Sequence, residues 1–253
     1  MSLDLSPRAA AAPRPARLLH HARVEVGLQL RNGEQLLLAL VIPVGLLVAG
    51  LLWGRPLGVD PVAYPASILA LAVWSTSFTS LAITTGFERR YGVLERLIAT
   101  PLSRADLVIG KALATAAVAA GQVTLLAAVA AGLGWRPAPT ASGTLVAVAA
   151  ALLASGCFAA LALALAGRLE ATVTLGLVNL IYLAGAAGGG LVLPVAAYPE
   201  AARLPVSLLP TAALGESLRS WASGGVEPGA LGVLGCWLVL ALLVARKAFR
   251  WTA

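Results

Sequence analysis

The charged residues that could take part in chemistry are concentrated in one short stretch, residues 87–104. Glu88 and Arg89 recur seven residues later as Glu95 and Arg96, and a continuous helix would place each like pair on one face. Such charges suit contact with another protein or with lipid headgroups. They do not indicate catalysis, because no nucleophile–base pair accompanies them.

Motifs for catalysis and nucleotide binding are missing from the sequence. The single Gly-Lys dipeptide lacks the flanking residues of a P-loop, and neither HExxH nor GxSxG occurs. Cys157 and Cys236 lie in apolar runs without metal-ligand spacing. His20 and His21 are adjacent and would not share a helix face, so we expect solvated histidines. We therefore expect no enzyme, no metal site and no cofactor on this chain.

The composition excludes a soluble domain. Hydrophobic residues make up 59% of the 253 residues and charged residues only 11%, whereas soluble domains carry about 25% charged residues. Disorder would require low hydrophobicity. We therefore predict an all-α, polytopic membrane protein. The net charge of +7 fits membrane orientation and anionic lipid. It does not indicate nucleic acid, since no basic stripe is interleaved with aromatics.

Six apolar runs are long enough to cross a bilayer as helices. The predicted spans are residues 36–53, 64–85, 112–133, 144–166, 171–193 and 228–245. Residues 1–16 are rich in Ala, Pro and Arg and are predicted to be a disordered cytoplasmic tail, with residues 17–253 forming a single transmembrane domain. If the N-terminus is cytoplasmic, 14 of the 18 basic residues fall on that side, which predicts that both termini are cytoplasmic.

The segment before the first span, residues 17–34, has two periodicities. Leu19, Ala22, Val26 and Leu30 form a helical stripe, while alternate residues from position 24 to 30 are also apolar. The pattern alone leaves helix and strand open. We favour an interfacial helix because the segment leads directly into a span.

The charged stretch predicts a short amphipathic helix over residues 87–99, on the cytoplasmic side between the second and third spans. Pro101 ends it, and Ser103 with Asp106 is typical of the cap of a following helix. The helix either lies on lipid headgroups or docks a cytoplasmic partner, and Gly92 slightly favours docking because it permits close backbone approach. One apolar stripe supports the helix: Phe87, Tyr91, Leu94 and Ile98.

No charged residue lies near the middle of any predicted span, which argues against an autonomous proton-coupled transporter. Weakly polar residues do occur in the second and fifth spans. They either hydrogen-bond neighbouring helices or line a substrate path. These residues are Thr76, Ser77, Ser80, Thr84, Asn179 and Tyr182.

The segment from Pro194 to Glu227 is the longest predicted external element. Residues 204–215 within it are too short to cross the bilayer, and we predict that they are re-entrant or interfacial. Glu216 and Arg219 are one turn apart and predict a surface ion pair. The glycines at positions 188–190 should break the end of the fifth span.

The charged loop resembles the cytoplasmic loop of ATP-binding-cassette (ABC) export permeases of the type-2 class, close to the daunorubicin-resistance subfamily. The matching residues are Glu88-Arg89, Gly92, Leu94-Glu95-Arg96-Leu97, Thr100-Pro101-Leu102 and Arg104. The resemblance implies that residues 88–98 dock into a separate ATPase subunit and that residues 17–34 form a connecting helix. The implied coupling residues are Glu88, Arg89, Tyr91, Gly92, Leu94, Glu95, Arg96, Leu97, Pro101 and Arg104.

The resemblance further implies the permease subunit of an ATP-driven exporter in a prokaryotic-type plasma membrane, moving a small hydrophobic or amphiphilic drug or lipid. Two ATPase subunits would hold ATP and Mg, and a second permease copy or a homologous permease would complete the path. Two other functions stay open, a stand-alone secondary transporter or channel, and a membrane enzyme or assembly scaffold. The implied external gate comprises Pro194, Pro205, Pro210, Glu216 and Arg219.

Overall fold

The computed structural model describes residues 12–54, 56 and 58–248, excluding the side chains of residues 34–39. Most of the predicted tail, residues 1–11, lies outside this range. The described chain is helical, which confirms the all-α prediction for these residues. The helices are α1 Arg14–Arg31, α2 Gly33–Trp53, α3 Ala63–Arg90, α4 Val93–Ile98, α5 Arg104–Gly132, α6 Ala141–Ala166, α7 Ala171–Gly188, α8 Glu200–Ser207, α9 Pro210–Ala222 and α10 Gly229–Ala248.

Five of the described helices, α3, α5, α6, α7 and α10, are long and apolar enough to cross a membrane. They coincide with the second to sixth predicted spans and confirm a polytopic membrane protein. The first predicted span, residues 36–53, lies within α2. The apolar part of α2 that can be assessed is the shorter stretch Leu40–Trp53. The crossing by α2, and with it a total of six spans, therefore stays a prediction.

Helix α1 shows that the segment before the first span is helical over its described length. The helix begins at Arg14, directly after Pro13, and so takes in the last residues of the predicted tail. Proline is favoured at a helix start because its missing N–H would have no partner there. Helix α1 packs along α5, at the side of the helical bundle.

Helix α7 ends at Gly188, so the fifth span is shorter than the predicted residues 171–193. Gly190 adopts a left-handed φ of +68°, which glycine tolerates without strain. A Cβ at Gly189 would lie 2.6 Å from Thr211 Oγ1. The glycines therefore end the helix, as predicted, and let the outer segment pack against it.

The core of the bundle is built around α3, which contacts α2, α5, α6, α7 and α9. Trp74 stacks on Phe78, with ring centroids 4.3 Å apart, and meets the edge of Phe158 from α6 at 4.6 Å. Helix α6 packs against α3 and α10 and carries buried alanines, among them Ala150 and Ala154. Small residues allow such close helix packing in membranes.

A π-helical segment, Ser75–Ser80, interrupts the α-helical pattern of α3. Its wider turn holds more residues than an α-helical turn. Thr76, Ser80 and Thr84 are spaced four residues apart and would share one face of a regular α-helix, but this interruption separates them. Thr76 and Ser80 line one cavity, whereas Thr84 lines another near the end of α3.

Candidate functional site

The apolar stripe predicted one helix over residues 87–99, but the structure shows two helices in the charged loop. Helix α3 runs on to Arg90, and α4 begins only at Val93. Gly92 lies between them with φ +68°, a left-handed conformation that ends one helix and precedes the next. Because of this break, the seven-residue pairs Glu88–Glu95 and Arg89–Arg96 do not share helix faces.

The tip of the loop is exposed and held by one apolar anchor. Leu94 is buried, whereas Tyr91, Glu95 and Arg96 are exposed. Thr100 donates a hydrogen bond to the Leu97 carbonyl at 2.6 Å, which closes the end of α4. Of the remaining implied coupling residues, Pro101 and Arg104 are also exposed. The tip therefore offers both charge signs and an aromatic ring to a partner.

The base of the loop turns inward. Arg89 donates hydrogen bonds to the carbonyls of Ala166 at 2.9 Å and Leu169 at 3.2 Å, at the end of α6. Glu88 forms an ion pair with Lys111 of α5 at 2.6 Å. Two residues that the resemblance assigns to ATPase docking thus make contacts within this chain.

Lys111 is the centre of a buried charge cluster that joins α1, α3 and α5. Its Nζ lies 2.8 and 2.9 Å from the two carboxylate oxygens of Glu25, besides the contact with Glu88. The side chains of Lys111, Glu25 and Glu88 are 3%, 6% and 14% exposed. Their formal charges sum to −1, so one ammonium serves two carboxylates. Burial makes each ion depend on its partner, because water cannot replace that partner.

His21 extends this cluster on α1 and is buried, contrary to the predicted solvated histidine. Its Nε2 lies 3.7 Å from Glu25 Oε1. Gly110 of α5 allows His21 to pack closely against that helix, because a Cβ at position 110 would lie 2.3 Å from His21 Cδ2. Burial lowers the pKa of His21, and the nearby Lys111 ammonium lowers it further, against the opposing effect of Glu25. Burial therefore favours the neutral form of the imidazole.

The start of α1 is tied to the far end of the loop. Arg14 pairs with Asp106 at 2.8 Å, and Arg17 donates a hydrogen bond to the Pro101 carbonyl. Ser103 and Asp106 form the predicted cap of α5, with a reciprocal capping box. Helix α1 thus contacts the far end of the loop directly and its base through Lys111.

Sequence reasoning missed Glu25 and Lys111. A signal was present, since Lys111 stands immediately before the apolar run of the third span and Glu25 lies four residues after His21. Their separation of 86 residues hides the pairing from any local pattern.

The weakly polar span residues fall in different environments. Thr76 donates a hydrogen bond to Gln122 of α5, which supports the interhelical role for this residue. Ser77 is buried away from the cavity that Thr76 lines. Asn179 is exposed on α7, and the Tyr182 carbonyl accepts a hydrogen bond from Trp74. The predicted path residues do not form a single wall within this chain.

Thr76 and Ser80 line a cavity of about 300 Å³ between α1, α2, α3 and α5. Its wall is predominantly apolar. The lining residues are Val26, Gln29, Leu30, Leu40, Thr76, Ser80, Ala117, Val118, Gly121, Gln122 and Leu125.

The outer segment folds into α8 and α9, with Pro205 inside α8 and Pro210 at the first position of α9. Glu216 and Arg219 pair at 2.9 Å, but Arg219 is buried, which corrects the predicted surface pair. Its guanidinium also donates to the carbonyls of Gly190 and Leu191, at 2.8 and 2.7 Å, and to the Ser67 hydroxyl at 3.0 Å.

Glu216 completes the outer cluster by accepting a hydrogen bond from the Val195 amide at 2.7 Å. Pro194 is exposed and precedes the 3-10 turn Val195–Ala197. Arg219 therefore joins α9 to the broken end of α7 and to α3.

Comparison with known proteins gives one family match. Residues 57–247, which are 191 of the 253 residues, match the family described as ABC-2 family transporter protein. No curated protein matches the chain. The matched range contains α3 to α9 and most of α10, together with the charged loop, Lys111 and Arg219.

Proposed function

The chain belongs to the ABC-2 transporter family, and on this premise we propose that it is the membrane permease subunit of an ATP-driven exporter. Proteins of this family are transport permeases, not catalytic domains, and generally work with a separate ATPase subunit. ATP and Mg would be held by that subunit, in two copies. Two permeases, identical or homologous, would form the transport path.

The observation that carries the proposal is that the charged loop has an exposed tip and a base that is bonded to the helical bundle. Its tip exposes Tyr91, Glu95 and Arg96, while its base is bonded to the bundle through Glu88 and Arg89. A partner that pushes on the tip would move α3 and α5 together. Such a rigid-body movement could switch the permease between inward- and outward-facing states.

The buried cluster gives this movement a route to α1. Lys111 connects the end of α3 with Glu25 of α1, and Arg14 connects α1 with Asp106 at the start of α5. We assign α1 the role of a connecting helix that lies at the membrane surface. This assignment makes α1, the charged loop and the start of α5 one mechanical unit.

The finer features of the proposal follow the resemblance to the daunorubicin-resistance subfamily. They comprise six spans including α2, cytoplasmic termini in the plasma membrane, and α8 and α9 as re-entrant elements of an external gate around Arg219. The substrate would be a small hydrophobic or amphiphilic drug or lipid. The apolar and only weakly polar helices support this substrate class. A sugar chain would favour aromatic platforms, whereas aromatic residues make up only 6% of this chain.

Charge reversal at the loop tip tests the proposal. The permease is purified with its ATPase subunit and reconstituted in liposomes, with daunorubicin as the fluorescent probe. We expect Glu95→Lys to abolish ATP-dependent accumulation and to reduce co-purification of the ATPase, because Glu95 is exposed at the tip. Glu227→Lys is the matched control, since Glu227 is exposed in the outer segment.

Two results would contradict the proposal. One is undiminished transport and an intact complex in Glu95→Lys. The other is transport by the isolated chain without ATP or a second subunit, which would establish the stand-alone transporter.

A further inference from the structure

The cavity between α1, α2, α3 and α5 has the properties of a binding site for a neutral molecule. Among the residues whose side chains the structure describes, the lining includes no Asp, Glu, Lys or Arg. Binding sites for small ligands combine an apolar wall with a few polar groups that fix orientation. Here the polar groups come from three elements, Gln29 of α1, Thr76 and Ser80 of α3, and Gln122 of α5.

The polar wall is placed by the π-helical segment of α3. Thr76 and Ser80 both belong to Ser75–Ser80, and π-helical turns are frequent at functional sites. Thr76 donates its hydroxyl proton to Gln122. A hydroxyl oxygen also has two lone pairs, so Thr76 is able to accept a hydrogen bond from a ligand. This chemistry favours a ligand that carries an O–H or N–H donor.

The size of the cavity limits the ligand. The volume of about 300 Å³ equals roughly ten liquid water molecules at about 30 Å³ each. This volume fits a fused pair of rings with one polar substituent. A whole two-chain lipid is too large.

The cavity has an entrance at membrane depth. Gly121 and Leu125 line it and are exposed on α5. Gly121 lies near the middle of α5, a helix long enough to cross a hydrocarbon core of about 30 Å. We infer from this position that the entrance opens toward the bilayer.

We propose that this cavity binds one small neutral amphiphile, which enters from the bilayer and donates a hydrogen bond to Thr76. The site lies within one copy of the chain. Binding there needs neither ATP nor a second subunit, so its test is independent of the proposed transport function.

Equilibrium binding of tritiated 2-naphthol to the full chain in phosphatidylcholine nanodiscs tests the site, with empty nanodiscs giving the background. We expect one saturable site per chain. Gly121→Leu should abolish it, because residue 121 lines the cavity and no atom lies within 4 Å of a Cβ added there. Gly176→Leu is the matched control, since it fills similarly open space on α7, outside the cavity.

A second variant keeps the shape of the cavity. Thr76→Val removes the acceptor with little change of volume, and we expect it to weaken binding by roughly two- to tenfold, the effect of one lost hydrogen bond. The proposal is overturned if the wild-type chain shows no saturable binding, or if Gly121→Leu and Thr76→Val both bind like the Gly176→Leu control.

Competition identifies the source of the ligand. Displacement of 2-naphthol by dioctanoylglycerol would assign the site to the hydroxyl end of a neutral lipid with one chain segment inserted. Binding that dioctanoylglycerol leaves unchanged would assign it to a free aromatic amphiphile. Both results support the proposed chemistry.

Discussion

Replacement of Lys111 by methionine removes the ammonium that Glu25 and Glu88 share. Their nearest oxygens lie 2.8 and 2.6 Å from Nζ and are therefore at most about 5.4 Å apart. At that separation two like charges repel by about 3 kcal/mol for an effective dielectric constant of about 20. Loss of one partner from a buried ion pair typically costs about 3–5 kcal/mol. We therefore expect Lys111→Met to lower the free energy of unfolding by about 3 kcal/mol.

The assay combines denaturant unfolding in detergent with hydrogen exchange of the α1 amides. Exchange in α1 should accelerate, because the variant leaves Glu25 without its cation. Lys247→Met is the matched control. Lys247 is exposed near the end of α10, so its replacement should change stability by less than about 0.5 kcal/mol.

A triple variant separates charge from packing. Glu25→Leu and Glu88→Leu combined with Lys111→Met leave no buried charge at this place, and apolar replacements of buried ion groups are often neutral or stabilising. We expect stability within about 1 kcal/mol of the wild type. The reasoning is refuted if Lys111→Met behaves like Lys247→Met, or if the triple variant is as unstable as the single one.

Three further perturbations give expected outcomes. Gly92→Ala should lower stability by about 1–2 kcal/mol, because φ at this position is +68°. Gly27→Ala, in open space within α1, should raise stability by up to about 1 kcal/mol. Thermal unfolding of the two variants checks both directions of change. Arg219→Met should cost about 2–5 kcal/mol, because the carbonyls of Gly190 and Leu191 lose their buried donor. Arg203→Met, at an exposed position, should cost under about 1 kcal/mol. Urea unfolding in detergent measures the difference. Burial lowers the pKa of His21 below its usual 6.5, so released α1 binds a proton more readily than docked α1. Acidification through pH 6.5 should therefore weaken docking and speed α1 exchange, and His21→Gln should remove this pH dependence.

Patterns within one element predicted much of the fold. The charge-free runs located α3, α5, α6 and α10, and the spacing of Ser103 and Asp106 predicted the cap of α5. These features depend on residues close in sequence, where periodicity and capping chemistry act directly.

Features that depend on distant residues were not predictable. The pairing of Glu25 with Lys111 joins residues 86 apart, and the bond from Arg219 to Ser67 joins residues 152 apart. Gly92 shows a different limit. Glycine permits both a helical and a left-handed backbone, so the apolar stripe across it was compatible with one helix, although the chain forms two.

The π-helical segment of α3 has a consequence for changes in chain length. A one-residue deletion in an ordinary helix rotates everything beyond it by about 100° and turns its packed face away. Ser75–Ser80 holds surplus length in a widened turn, so a deletion there would tighten the turn while Trp74 and Phe87 kept their neighbours. Shortened relatives of this chain should carry their gaps at this position.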